Sequence, residues 1–283
     1  MSRVILCPDD VVDLQIHTIY SDGHWEPDAL FAYLRDTGFR LVAITDHDTC
    51  EHVVALQRLG EAYGIAVLAA TEMTTDWRGT SAHLLSFAPN GFGDQLPALA
   101  RQTVKRQREN TREVYHELLR RGYLFPNLKT ALGGLAEPAR PLDNEILLRA
   151  HGYVSDMESA FALITDAGYR QMTAPLADAV AAAHEAGALA VIAHPGRGEG
   201  EIHRYELDEL NRLLDEIPLD GIEVYYPKHT AEQVADFEAL ATRRGLLVSA
   251  GSDSHGPNQR LPIRYPAPLV RDLLARCCVS VER

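Results

Sequence analysis

Seven short apolar runs along this chain each end in, or one or two residues short of, a side chain able to bind a metal ion. The endings bring His17, Asp22, His47, Glu72, His83, His194, Asp253 and His255 to candidate positions. The runs, at 11–16, 41–45, 66–70, 83–87, 189–193, 221–226 and 246–250, are mostly unbroken stretches of β-branched and aliphatic residues, the pattern of strands buried on both faces. Helical patterns at 27–37, 51–63, 176–186, 207–214 and 231–243 fall between them, and Gly38, Gly64, Gly187 and Gly245 sit just past helix ends, where a left-handed cap is needed. This β-α alternation predicts an α/β fold, a parallel sheet or barrel whose strands gather their metal-binding residues at one end.

Between 87 and 189 the rhythm breaks. A long polar helix rich in Arg, Gln and Glu is predicted at 95–121, followed by a loop-prone stretch with Gly133, Gly134, Pro138 and Pro141 and further helix at 145–151 and 157–167. The expected organisation is a barrel from 1–94 and 172–283, with a helical subdomain at 95–171 that lids the site and supplies substrate contacts.

With 283 residues, 46% of them apolar, the chain can bury one barrel-sized core. Its 40 acidic residues against 27 basic ones give a net charge of −13, which disfavours duplex nucleic acid as a partner, although a local basic pocket could still hold one phosphate. Cys7, Cys50, Cys277 and Cys278 form no C-x-x-C pair and no secreted framework, so a reducing compartment and structural cysteines are expected. The start lacks the apolar core of a signal peptide, and no segment reaches the ~18 apolar residues of a membrane span. These features point to a soluble cytoplasmic protein.

The candidate residues differ in how much they say. Taken singly, His17 reads first as a hydrogen-bonded core histidine and Asp22-Gly23 as a plain turn. Thr45, Asp46, His47, Asp48 and Thr49 follow a buried run directly; His47 is the ligand candidate, Asp46 a partner that orients a neighbouring ligand, and Asp48 or Thr49 a helix N-cap. Glu72 is a carboxylate among histidines, able to give one oxygen to each of two cations, which suggests a multinuclear site. Asp253 and His255, two apart in an extended segment, share one side and are more specific than any single histidine. Arg197 lies four residues beyond a strand exit, where its forked donors could meet a phosphate.

Taken together, DLQIH at 13–17, SDG at 21–23, ITDHDT at 44–49, TEM at 71–73, AHLL at 82–85, IAHPGR at 192–197, GIEVYYPKH at 221–229 and SAGSDSH at 249–255 resemble the PHP (polymerase and histidinol phosphatase) family. The branch most similar is that of stand-alone metal-dependent phosphoesterases acting on nucleoside 3′,5′-bisphosphates and on 5′ ends of short RNAs. The resemblance implies a distorted (β/α)7 barrel with two or three divalent ions, of manganese, iron or zinc, with magnesium possible. It further implies that His17, Glu72 and Asp253 hold one ion, that Glu72 bridges to a second held by His83 and His194, and that Asp22, His47 and His255 hold a third. A hydroxide activated by the metal would attack phosphorus, with Arg197 holding the ester and His255 or a water protonating the leaving oxygen. Arg140-Pro141 resembles a phosphate-binding Arg-Pro-His segment, except that Leu142 replaces the histidine.

A second departure is at the opening motif, which in the family reads His-x-His and here has Gln15 before His17. An amide oxygen is a weaker, neutral donor than imidazole for a transition ion, so the first ion position should bind less tightly or favour a harder ion. The expected activity is phosphoester hydrolysis on a small nucleotide. A histidinol-phosphate-type phosphomonoesterase is the nearest rival, and a nucleotide-binding pseudoenzyme that lost turnover with the Gln15 change is the rival outside the enzymes.

Overall fold

The computed structural model describes residues 4–198 and 203–282. Its main sheet contains β1 (Val11–Ile16), β2 (Phe39–Ile44), β3 (Ala66–Met73), β4 (Leu84–Phe87), β5 (Leu189–Ile192), β6 (Gly221–Tyr225), β7 (Leu247–Ala250) and a two-residue β8 (Tyr265–Pro266). The sheet order is β7-β6-β5-β4-β3-β2-β1-β8. Beyond the strands, β7 and β1 rejoin: His17 N donates to Ser254 O at 2.9 Å and Asp253 N to Gln15 O at 2.9 Å. The sheet thus nearly closes on itself, a distorted α/β barrel as the sequence predicts.

Strand periodicity explains the unbroken apolar runs. Val12, Leu14, Leu41, Ala43, Leu85, Phe87, Leu189 and Val191 form one cluster, while the alternating Val42 and Ile44, and Leu84, Ala190, Ile192, Ile222 and Val224, belong to others packed with the helices. The first cluster also takes in Leu273 and Leu274 from the C-terminal helix Arg271–Arg276, which the sequence pattern did not reveal.

One strand departs from the parallel expectation. β4 runs antiparallel to both β3 and β5. Only residues 74–83 separate it from β3, and they contain a small hairpin of Thr75–Trp77 with Thr80–Ser81 in place of a helix. A parallel neighbour would need a crossover of about a dozen residues or more, so the short link forces the reversal. Its consequence is functional: the amino end of β4 lies at the edge where the other strands have their carboxyl ends, so His83 precedes its strand where His17, His47 and His194 follow theirs.

α1 (Pro27–Asp36) starts at a proline suited to its first turn. α2 (Val53–Tyr63) starts later than expected: His52 stands at its N-cap without a side-chain cap bond, so neither Asp48 nor Thr49 caps it. Asp48 instead adopts a left-handed φ of 49° and its carboxylate accepts from Thr74 N at 2.9 Å, which ties the β2 exit to the end of β3.

The chain divides into two compact units, residues 1–100 with 174–283, and 101–173. The division falls inside the continuous helix Gln95–Arg120. The second unit is helical, with Leu128–Ala131, Asp143–Ala150 and Met157–Asp166 packed around Val114, Leu118, Phe125, Leu147, Leu148 and Ile164. Among the described residues no helix is long and apolar enough to cross a membrane.

Candidate metal centre

The barrel's connections bring the candidates together. Where β1 meets β7, the two closing hydrogen bonds join the segments carrying His17 and Asp253. Asp46, at the β2 exit, accepts from Thr18 N at 2.7 Å, Thr18 Oγ1 at 2.7 Å and Ser21 Oγ at 2.8 Å. Those bonds fold the loop so that Asp22 returns to His17, with 3.7 Å between Oδ1 and Nδ1. Asp46 is therefore a loop holder that places a ligand candidate. His47 and Glu72 form an isolated bridge between the β2 exit and β3, and Ala193 N donates to His83 O at 3.0 Å where β5 meets β4. His194 and Asp253 have left-handed φ values of 29° and 54°. Such backbone costs about 1–3 kcal/mol per residue and is held only where surrounding bonds over-determine it; for His194 one of these is its N–H, bonded to Glu223 Oε2 at 2.9 Å.

Glu72 is the centre of the cluster and is fully buried. Its Oε1 lies 2.9 Å from His83 Nδ1 and 3.1 Å from His194 Nε2; its Oε2 lies 3.0 Å from His17 Nε2 and 3.9 Å from His47 Nε2. The two oxygens thus face two different sets of imidazoles. Asp253 Oδ1 is 3.3 Å from His17 Nε2, and His255 Nε2 is 3.3 Å from Asp22 Oδ2. The His17 ring stacks between those of His47 and His255, with centroids 4.7 and 4.2 Å away. Ligand atoms within 4.8 Å of one another form three sets: His17 with Asp22, His47 and His255; His47 with Glu72 and His83; and His17 with Glu72 and Asp253. His194 touches Glu72 without joining any of these sets.

The donor set fits divalent cations. Among the described residues, Nδ1 of His17, Nδ1 of His47 and Nε2 of His83 are buried without a hydrogen-bond partner, and Nε2 of His17 faces the Glu72 and Asp253 oxygens without a well-aligned hydrogen bond, an arrangement that is costly unless something else satisfies them. Burial presses the His17 pKa down, but Asp253 and Glu72 more than reverse it and hold it well above the usual range. Burial likewise works against the Glu72 carboxylate, yet His47 and the other imidazoles hold its pKa well below the usual range. The field that favours a proton on His17 equally favours a metal ion, and ligation displaces that proton. His47, by contrast, is pushed down to about 4 by burial and is already neutral for ligation. His255 has one nitrogen committed, its Nδ1 lying 2.9 Å from the Asp253 main-chain oxygen, so Nε2 is its working atom.

Gln15 is buried beside the cluster, and its Nε2 donates to Glu72 Oε2 at 2.8 Å. Arg197 also reaches the site, donating from its NH1 to Asp253 Oδ2 at 2.9 Å, while its Nε is buried without a partner among the described residues. Arg140 belongs to the helical unit, where Asp143 binds its Nε at 2.8 Å; Leu142, at the position of the family's histidine, is 43% exposed. Sequence reasoning gave no role to Tyr226, whose hydroxyl donates to Asp253 Oδ2 at 3.3 Å, or to Arg260, which binds Ser252 O at 2.7 Å and lies over the Tyr226 ring. Tyr226 was visible as part of the 221–229 motif, whereas nothing in sequence marks Arg260. His229, within the same motif, holds the 195–196 loop by accepting from Gly196 N at 3.0 Å.

The sequence profile of the PHP domain matches residues 13–261. The chain belongs to the PHP family. It is a metal-dependent phosphoesterase, a hydrolase of phosphoric ester bonds. This PHP chain is similar to a phosphoribosyl 1,2-cyclic phosphate 1,2-diphosphodiesterase of Eggerthella lenta, 30% identical over 272 residues that cover 91% of the chain and 100% of the relative. It is also 30% identical to a 3′,5′-nucleoside bisphosphate phosphatase of Chromobacterium violaceum over 88% of each chain, and 26% identical to a 5′-3′ exoribonuclease of Haemophilus influenzae over 87% of this chain and 90% of the other. Among solved structures, an amidohydrolase from Chromobacterium violaceum with bound sulfate superposes with a TM-score of 0.77 at 26% identity, covering 94% of this chain and 96% of that one.

Proposed function

We propose that this PHP protein hydrolyses a phosphate ester of a small nucleotide, a nucleoside 3′,5′-bisphosphate or the 5′ end of a short RNA. The observation that carries the reading is the division of the Glu72 carboxylate between two sets of imidazoles, which is how a carboxylate shared by two cations is presented. His17, Glu72 and Asp253 would hold one ion, Glu72, His83 and His194 a second, and Asp22, His47 and His255 a third. N/O donors of this kind suit manganese, iron or zinc, and magnesium also fits the carboxylates. Divalent ions there would polarise a phosphoryl oxygen and lower the pKa of a water molecule.

The chain's own residues do the rest. Asp253 fixes the Arg197 guanidinium, whose Nε has no partner among the described residues and would donate to a phosphoryl oxygen. Tyr226 and Arg260 approach the same oxygen of the Asp253 carboxylate, Oδ2, and help to fix it. Ion binding and protonation of the leaving oxygen exclude each other at the one free nitrogen of His255, and its position 3.3 Å from Asp22 favours ion binding.

The Chromobacterium violaceum and Haemophilus influenzae relatives support a nucleotide substrate. The Eggerthella lenta relative, matched along its whole length, supports a second reading, cleavage of a ribose cyclic phosphodiester. The deciding experiment is elemental analysis of purified protein with a phosphate-release screen over adenosine 3′,5′-bisphosphate, 5′-phosphorylated short RNA, phosphoribosyl 1,2-cyclic phosphate and histidinol phosphate. Release from the nucleotides is expected. Tight nucleotide binding without release under manganese, iron, zinc or magnesium would overturn the proposal in favour of a binding module.

A further inference from the structure

We infer that Tyr20, stacked on His52, is a platform for the nucleobase of the substrate beside the metal cluster. This rests on the nucleotide reading above and specifies which residue recognises the base. The two rings are almost parallel, 9° apart with centroids at 3.7 Å. Both come from connections that carry ligand candidates. Tyr20 lies in the loop between His17 and Asp22, and His52 just ahead of α2, on the segment that follows His47. At most about 7 Å of chain separates the Cα atoms of Tyr20 and Asp22, since extended chain spans about 3.6 Å per residue.

Tyr20 has no evident duty in the core: it is 37% exposed and joins no hydrophobic cluster among the described residues. His52, beneath it, is half-buried. The Tyr20 ring is nevertheless held in order. Tyr20 N donates to Thr18 Oγ1 at 3.3 Å, and Asp46 in turn grips both the amide and the hydroxyl of Thr18. The same carboxylate thus fixes the return of Asp22 and the place of the ring. An ordered, exposed aromatic surface is suited to a flat partner, and every nucleobase offers a π-face whatever its sequence identity. With the phosphate at the ion cluster, the base of a nucleotide is one sugar away, on the scale of the separation between Asp22 and Tyr20.

The test compares adenosine 3′,5′-bisphosphate with the matching abasic bisphosphate, which keeps both phosphates and lacks the base, on wild type, Tyr20→Ala and Tyr20→Phe. In Tyr20→Ala the KM of the adenosine compound relative to the abasic one should rise about 5- to 100-fold, equivalent to about 1–3 kcal/mol at about 1.4 kcal/mol per tenfold. Tyr20→Phe should restore the wild-type ratio, which a merely structural role for the hydroxyl or loop would not predict. A KM ratio unchanged in Tyr20→Ala, with both compounds turned over, overturns the platform and leaves the nucleotide reading standing. If wild type turns over neither compound, the nucleotide reading fails instead. Calorimetry of adenosine 3′,5′-bisphosphate binding then decides the platform: weaker binding by Tyr20→Ala than by wild type supports it, and equal binding overturns it.

Discussion

Glu72→Gln removes one negative charge from the cluster and keeps the side-chain shape. Glu72 has no solvent exposure, and its oxygens lie 2.9 and 3.1 Å from His83 and His194 on one side and 3.0 Å from His17 on the other. A unit charge about 4 Å from a carboxylate gains about 4 kcal/mol at an effective dielectric of about 20. That corresponds to about three decades of affinity at about 1.4 kcal/mol per tenfold, and a doubly charged ion feels at least as much. The amide oxygen still offers a lone pair and offsets part of the loss. The expected outcome is loss of at least one equivalent of metal from dialysed protein and a fall in phosphate release of about 100- to 1,000-fold, the lower end allowing for the amide. Elemental analysis after dialysis against metal-free buffer, followed by phosphate release from adenosine 3′,5′-bisphosphate, measures both, and calorimetric melting shows that the variant is folded. A folded variant with wild-type metal content and turnover within about threefold, under 1 kcal/mol on the same scale, would refute the role of the shared carboxylate.

Gln15→His should raise the metal retained after dialysis by supplying an imidazole where an amide now donates to Glu72 Oε2 at 2.8 Å; unchanged elemental content would show that no ion reaches this position. Gly251→Ala should lower the melting temperature. An added Cβ would lie 2.4 Å from both Gln15 Cβ and Glu223 Oε1, and overpacking of this kind costs about 1–3 kcal/mol, roughly 2–10 °C for a chain of this size; an unshifted calorimetric transition would refute the close approach. His229 is pushed down to about 4 by burial, against an ordinary value near 6.5 when unfolded. The unfolded chain therefore binds more protons between these values, and the contribution of His229 to stability is complete above about pH 6.5 and lost as pH falls toward 4. Melting temperature against pH should be flatter over that range in His229→Gln, and parallel curves would refute the assignment.

The barrel was legible because its strands are buried on both faces and so read as continuous apolar runs, and because a ligand must stand where such a run emerges. His47 and His194 could be placed from that rule alone. The direction of β4 could not, since an apolar run of four residues reads the same both ways; its reversal depends on the length of the link that follows Glu72. The N-cap expected at Asp48 or Thr49 failed for a related reason. Asp is a good cap by residue type, but its carboxylate found Thr74 N across the β2–β3 junction, a partner 26 positions away that no local pattern contains. Arg260 was invisible because it binds a carbonyl oxygen, that of Ser252, which every residue has.

Residue type alone also could not separate the acids that face a cation from those that hold the backbone. Asp13 and Glu223 are buried and Asp48 half-buried close to the ligand candidates, and desolvation raises all three, Asp13 and Asp48 to about 7. Each accepts from main-chain amides: Gln15, Ser252 and Ile263 bond Asp13, Thr74 bonds Asp48, and His194 bonds Oε2 of Glu223. Glu72 and Asp253 suffer the same desolvation, whereas the Asp22 side chain is half exposed; the surrounding imidazoles hold all three below the usual carboxylate range. The barrel mouth therefore sorts six acids into two groups by what surrounds them, and the three kept as anions are those that share the histidines. That sorting is the electrostatic condition for collecting divalent ions at the mouth, and it arises from the order of strands in the sheet rather than from any one motif.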